Sequence, residues 1–102
     1  MTTQPILSIG DLSLNTSSCQ VLQNRHQVFL RRKEFELLEF LLRNKERVVN
    51  RLTILEHVWN YQPFLKTNTL DVHLAALRRK IEKSKKYIRT IHGLGYKISD
   101  GE

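Results

Sequence analysis

The chain of 102 residues holds one cysteine, two prolines and no long apolar run. A lone thiol, Cys19, excludes an internal disulfide and the disulfide-built scaffolds of small secreted domains. The densest apolar stretch, Phe35 to Leu42, is interrupted by Glu36 and Glu39, so no segment reads as a bilayer span. The opening Met1-Thr-Thr-Gln-Pro5 has no basic patch leading into an apolar run. No signal peptide is expected, and the cytoplasm is the expected compartment.

Groups for catalysis are equally sparse. His26, His57, His73 and His92 are scattered, with no His-x-x-x-His pair and no cysteine pair, so no metal site is expected. Asp71 and His73 lie two apart on a helical stretch and point in different directions, which argues against a catalytic pair. Gly93-Leu94-Gly95 is too short for a phosphate loop. The expectation is a chain that is not an enzyme and takes no cofactor.

Acids are few: 10 Asp and Glu stand against 17 Lys and Arg, a net charge of +7. Residues 1–30 hold only Asp11 and Arg25, so the excess lies in 31–102. Between 78 and 89, seven cations face only Glu82, a local +6. Such density suits a polyanion, because each phosphate contact releases condensed counterions. The length allows one domain with a modest core.

Ile6–Ile9 and Leu12–Asn15 read as short strands around the Gly10-Asp11 turn, and Cys19–Leu22 and Gln27–Leu30 as two more around Asn24-Arg25. These predict a small antiparallel sheet over about 6–30. A first helix, about 32–44, carries Phe35, Leu38, Leu41 and Leu42, with Leu37 and Phe40 beside them, a wide stripe for a central position. Its start is unfavourable, because Arg31-Arg32-Lys33 meet the positive end of the helix dipole without a capping oxygen. Only Glu34 and Glu36 offset them. Asn50 caps a second helix, about 51–60, with Leu52, Leu55, Val58 and Trp59 inward or half inward. Pro63 makes the next segment a loop. Thr67 or Asn68 caps a third helix, about 67–83, whose Leu70, Leu74, Leu77 and Ile81 form one buried stripe. Tyr87–Ile91 and Tyr96–Ser99 read as a hairpin around His92-Gly-Leu-Gly95.

On the third helix, Thr69, Val72, His73, Ala76 and Arg79 lie away from that stripe. Small side chains let a helix sit deep in a major groove, and Thr or Val methyls meet thymine methyls. An ordinary amphipathic helix with a small outer face fits the segment equally well. The hairpin decides between them. A slim helix followed by a tight, basic hairpin is the order of a winged helix-turn-helix, and the order is more specific than either part.

The residues resemble the C-terminal effector domain of OmpR/PhoB-type response regulators from about Ile6 to Ser99. The matching segments are Glu34-Phe35-x-Leu37-Leu38, Arg47-Val48-Val49-x-Arg51, Leu55-x-His57-Val58-Trp59, Thr69-x-Asp71-Val72-His73-x-x-x-Leu77-Arg78-x-Lys80-Ile81 and Ile88-x-Thr90-Ile91-x-Gly93-x-Gly95-Tyr96. The resemblance implies an α+β domain: a four-stranded antiparallel sheet, three helices and a hairpin wing over about 87–99. It implies sequence-specific double-stranded DNA binding, with the third helix in the major groove and the wing in the adjacent minor groove. By position it assigns a phosphate contact to Arg51. Recognition-helix contacts fall on Asn68, Thr69, Val72, His73, Ala76 and Arg78, and wing contacts on Thr90, His92, Leu94 and Tyr96. It implies a polymerase-facing loop at Trp59, Asn60, Tyr61, Gln62, Pro63 and Phe64, with RNA polymerase as a partner. It also implies a second copy bound in tandem on direct repeats, and an upstream receiver domain that this sequence does not contain. Three departures stand out: Ala75 and Ala76 replace arginines of some members, His92 replaces a frequent minor-groove arginine, and Arg31 replaces the usual threonine cap. The alternative expectation is a winged helix turned protein-interaction module, with the Ala75-Ala76 surface as its docking face.

Overall fold

A computed structural model describes residues 6–60, 68–83 and 85–100. Four strands, β1 (Ile6–Ile9), β2 (Leu12–Asn15), β3 (Gln20–Gln23) and β4 (His26–Val28), form an antiparallel sheet in chain order. Three helices follow, α1 (Arg32–Arg43), α2 (Arg51–Trp59) and α3 (Thr69–Ile81), and then the hairpin β5 (Ile88–Ile91) and β6 (Gly95–Ile98). The fold is the expected α+β winged helix-turn-helix. Among the described residues, no helix is long and apolar enough to cross a membrane.

Alternation in the sheet sends Leu12, Leu14 and Val21 into the core. The outer strands shift from their predicted places. Cys19 takes a left-handed conformation (φ 59°) and belongs to the turn, so β3 starts at Gln20. Asn24 and Arg25 are both left-handed (φ 53° and 71°), the geometry of a tight two-residue hairpin turn. That turn pairs Gln23 with His26 and pulls β4 back to His26–Val28. Phe29 and Leu30 leave the sheet to lead into α1, and Phe29 is 76% exposed. Gln23, at the inner end of β3, is buried because its amide donates to the Ile81 carbonyl at the end of α3.

α1 packs against α2, α3, β1 and β6, which makes it the central element, with Leu37, Leu38, Leu41 and Leu42 buried. Its start is better served than expected. The Glu34 carboxylate turns back to accept the Arg31 N–H at 2.9 Å, half of a capping box. The other two cations are engaged: Arg32 and Lys33 both pair with Glu36, and Lys33 also donates to the Val58 carbonyl. Glu34 is buried rather than a surface counter-charge, and Lys80 of α3 reaches it at 2.6 Å. Burial pushes the Glu34 carboxyl up, but the Lys80 and Arg31 hydrogen bonds and charges outweigh this and hold it below its ordinary 4.5. The sign follows: this pairing stabilises the fold above the unfolded-state value and is lost as pH falls through the lower folded one. Glu34→Gln is therefore expected to cost about 1–2 kcal/mol near neutrality. The gap to the parent should close as pH falls below 4.5. Urea unfolding at neutral and acid pH measures this; a pH-independent gap would contradict it.

Asn50 caps α2 as predicted, accepting the Thr53 N–H at 2.8 Å. The inward stripe is Ile54, Leu55 and Val58; Leu52 is a correction, being 53% exposed. Leu52 is two residues from Ile54, on the opposite side of the helix, and faces the groove beside the hairpin. α2 ends at Trp59 because Asn60 turns left-handed (φ 49°). α3 buries Leu70, Leu74, Leu77 and Ile81, the predicted stripe. Asn68 precedes it in a helical conformation and gives no side-chain cap; its carbonyl accepts the Val72 N–H. The other predicted cap, Thr67, and the loop residues Tyr61, Gln62, Pro63 and Phe64 lie outside the described residues. α3 stops two residues early, since Glu82 turns its carboxylate to the N–H groups of Tyr87 and Ile88.

Tyr87, predicted as a strand residue, is instead a latch. Its buried hydroxyl donates to Asp11 at 2.6 Å, joining the β1–β2 turn to the start of the hairpin. Burial, and then the Asp11 carboxylate, raise its pKa above the ordinary value.

Candidate nucleic-acid interface

One side of the molecule gathers the outer face of α3 and the hairpin. Val72 is 58% exposed and Leu94, at the hairpin tip, 63% exposed. Asp71, Ala75 and Arg79 are exposed, and Thr69, His73 and Ala76 are half-buried on the flanks. The tip is His92-Gly93-Leu94, closed by the Leu94 N–H on the Ile91 carbonyl, with Gly93 left-handed (φ 77°) in open space.

Two arginines fix the hairpin relative to α3. Arg78 donates to the Ile88 carbonyl (3.0 Å) and to the Thr90 hydroxyl (3.1 Å), tying α3 to β5. Arg51, at the start of α2, grips Asp71 of α3 with two nitrogens at 2.8 and 3.2 Å. The Tyr96 hydroxyl of β6 reaches the same carboxylate at 3.4 Å. This hydrogen-bonded pairing holds the Asp71 carboxyl below its ordinary range and raises the Arg51 guanidinium. The backbone adds a third tie, because Val49 and Tyr96 exchange both amide hydrogen bonds, at 2.8 and 2.9 Å. The segment before α2 is thus bridged to the hairpin at this one residue pair.

Asp71 is the residue that sequence reasoning passed over. Its signal was a single acid in the first turn of a helix that ends in three cations. The partner, Arg51, lies twenty residues away, so no local pattern joins them.

His73 is engaged from two sides. Its Nδ1 lies 2.8 Å from the Thr69 carbonyl, which only accepts, so Nδ1 carries the proton and donates. Its ring stands edge-on to Trp59 with centroids 5.0 Å apart, linking the start of the α2–α3 connection to α3. Nε2 is then the acceptor of the ring.

The structure therefore brings Thr69, Val72, His73, Ala76, Thr90, His92, Leu94 and Tyr96 onto α3 and the hairpin as expected. Arg51 and Arg78 stand at the same surface with their guanidiniums in intramolecular bonds. Asn60 terminates α2, and Asn68 precedes α3.

Residues 25–98 match the family described as "Transcriptional regulatory protein, C terminal". The chain is 44% identical over 95 residues to the alkaline phosphatase synthesis transcriptional regulatory protein PhoP of Bacillus subtilis, covering 90% of this chain and 40% of PhoP. The response regulator DrrB of Thermotoga maritima, an OmpR/PhoB homologue, superposes with a TM-score of 0.82 at 31% identity, over 93% of this chain and 44% of DrrB. The DNA-binding domain of Klebsiella pneumoniae RstA, solved with the RstA box, has the same fold, with a TM-score of 0.85 at 21% identity over 94% of this chain and 98% of that domain. The chain belongs to the C-terminal domain family of transcriptional regulatory proteins and is an OmpR/PhoB-type effector domain. This is a family of DNA-binding transcription regulators of two-component systems, not of enzymes. The chain spans about two fifths of the length of the curated relatives it matches.

Proposed function

We propose that this chain binds specific double-stranded DNA as the effector half of a two-component response regulator, with α3 in the major groove and the hairpin wing in the adjacent minor groove. One observation carries the reading. An outward helix face of small residues stands beside an exposed hairpin tip, and Arg51, Asp71, Arg78 and Thr90 fix the two relative to each other. A major groove admits a helix, and a rigid offset between helix and wing sets which neighbouring furrow the wing meets.

In this reading Val72, Ala76 and the Thr69 methyl meet base edges, and His73 Nε2, the acceptor in this tautomer, meets a base-edge donor. Asn68 meets the backbone near the start of α3. Leu94 and His92 enter the minor groove, with Thr90 and Tyr96 along its wall. Arg51 and Arg78 point their remaining donors at phosphates while holding the frame together. Without arginines at Ala75, Ala76 and His92, base discrimination rests on van der Waals fit; each absent bidentate contact forgoes about 1–3 kcal/mol. The connection opening at Trp59 and Asn60, with residues 61–64, faces RNA polymerase. A second copy sits head-to-tail on a direct repeat, and a receiver domain upstream controls the pair.

Selection of bound duplexes from a random pool tests this. The expected outcome is a direct repeat spaced by about one helical turn, 10–11 bp. An inverted repeat, or no enrichment, would refute the tandem arrangement.

A further inference from the structure

The recognition helix has two flanks, and only one faces the wing. Its other flank faces the start of α1 across a depression that includes Arg31, Glu34, Ala76, Arg79 and Lys80. The acid in this depression is neutralised from within: Glu34 is buried, accepts the Arg31 N–H and is paired with Lys80. The rim is left with the guanidiniums of Arg31 and Arg79, both exposed and in no ion pair among the described residues. Arg31 is also the one member of the Arg31-Arg32-Lys33 run not tied to Glu36.

A helix lying in a major groove has a phosphate wall on each side. The wing and Arg78 occupy one side of α3, Arg31 stands at the other, and Arg79 projects from the outer face between them onto the rim of the depression. We propose that Arg31 and Arg79 form a second phosphate-gripping edge, directed at the backbone strand across the major groove from the wing. This rests on the DNA-binding reading above and adds a binding site to it. Arg79 projects from the recognition helix itself, and Arg31 from the helix that buttresses it. The two guanidiniums together present forked donors of the geometry that phosphate oxygens accept. The edge supplies backbone grip to a helix whose outer face lacks arginine at Ala75 and Ala76. It adds affinity and register without adding sequence preference.

The test is the salt dependence of binding to a labelled mixed-sequence duplex, by fluorescence anisotropy, for the parent chain, Arg31→Ala, Arg79→Ala and Arg32→Ala. All three positions are exposed, and circular dichroism verifies the fold. Arg31→Ala and Arg79→Ala should each weaken binding several-fold and reduce the slope of log K against log salt by about 0.9, one phosphate contact apiece. Arg32→Ala, whose cation is held by Glu36, should leave the slope unchanged. A parental slope in Arg31→Ala or in Arg79→Ala, with the parent binding steeply, overturns the edge. So does an equal drop in Arg32→Ala, which would mark a general charge effect. If the parent chain itself binds the duplex weakly and without salt dependence, the DNA reading fails, and this proposal with it.

Discussion

Val72→Asp is expected to lower duplex affinity by about 100-fold or more while leaving the domain folded. Val72 is 58% exposed on the outward face of α3, so its replacement removes little buried surface and opens no cavity. An exposed helical change of this kind costs about 0.5 kcal/mol or less. In a major groove the new carboxylate would sit between two phosphate walls and over base edges rich in acceptors. Like-charge contacts in a desolvated groove cost several kcal/mol, against which a lost methyl contact is minor. Circular dichroism and duplex titration on the same sample separate folding from binding. A folded variant with parental affinity would show that this face does not meet DNA.

Gly95→Ala is expected to give the largest loss of stability. Gly95 has φ 148°, a conformation that side chains rarely adopt, and an added methyl would collide with the Val49 carbonyl and the Asn50 Cα. Strain of this kind costs about 1–3 kcal/mol. Relieving it requires β6 to move away from Val49, which breaks the paired Val49–Tyr96 amide bonds, each worth about 1 kcal/mol. A total of at least about 3 kcal/mol corresponds to a fall in melting temperature of more than about 12 °C for a domain of this size. Gly93→Ala is the control: its φ of 77° is also unusual, but the methyl meets open space. It should cost about 1 kcal/mol. Equal melting temperatures for the two variants would contradict the close packing of the wing on the residues before α2.

The α3 stripe and the wing were legible because each is a local pattern. Leu70, Leu74, Leu77 and Ile81 repeat at helical spacing, and Gly93 and Gly95 bracket Leu94 at the hairpin tip. The slip of β3 and β4 came from strands only three or four residues long, where the period is weak and turn geometry sets the register. Leu52 was misplaced because a nine-residue helix with apolar residues at 52, 54, 55 and 58 admits more than one stripe. The contacts that shape the interface join distant positions. Glu34 meets Lys80 46 residues on, Arg51 meets Asp71, and Tyr87 meets Asp11. A charge pattern shows that these groups exist but not which pairs neutralise one another. That Arg31 and Arg79 stand together on one depression, in no ion pair among the described residues, emerges only from the fold.

In the proposed complex the outer face of α3 and the wing tip together contact a duplex. A titration of the 15N-labelled domain with duplex DNA, followed by amide chemical shifts, tests it most directly. The largest shifts are expected at Thr69, Val72 and Ala76 and at His92–Leu94, with β1–β3 unmoved. Shifts concentrated on the four-stranded sheet, with α3 unperturbed, would contradict it.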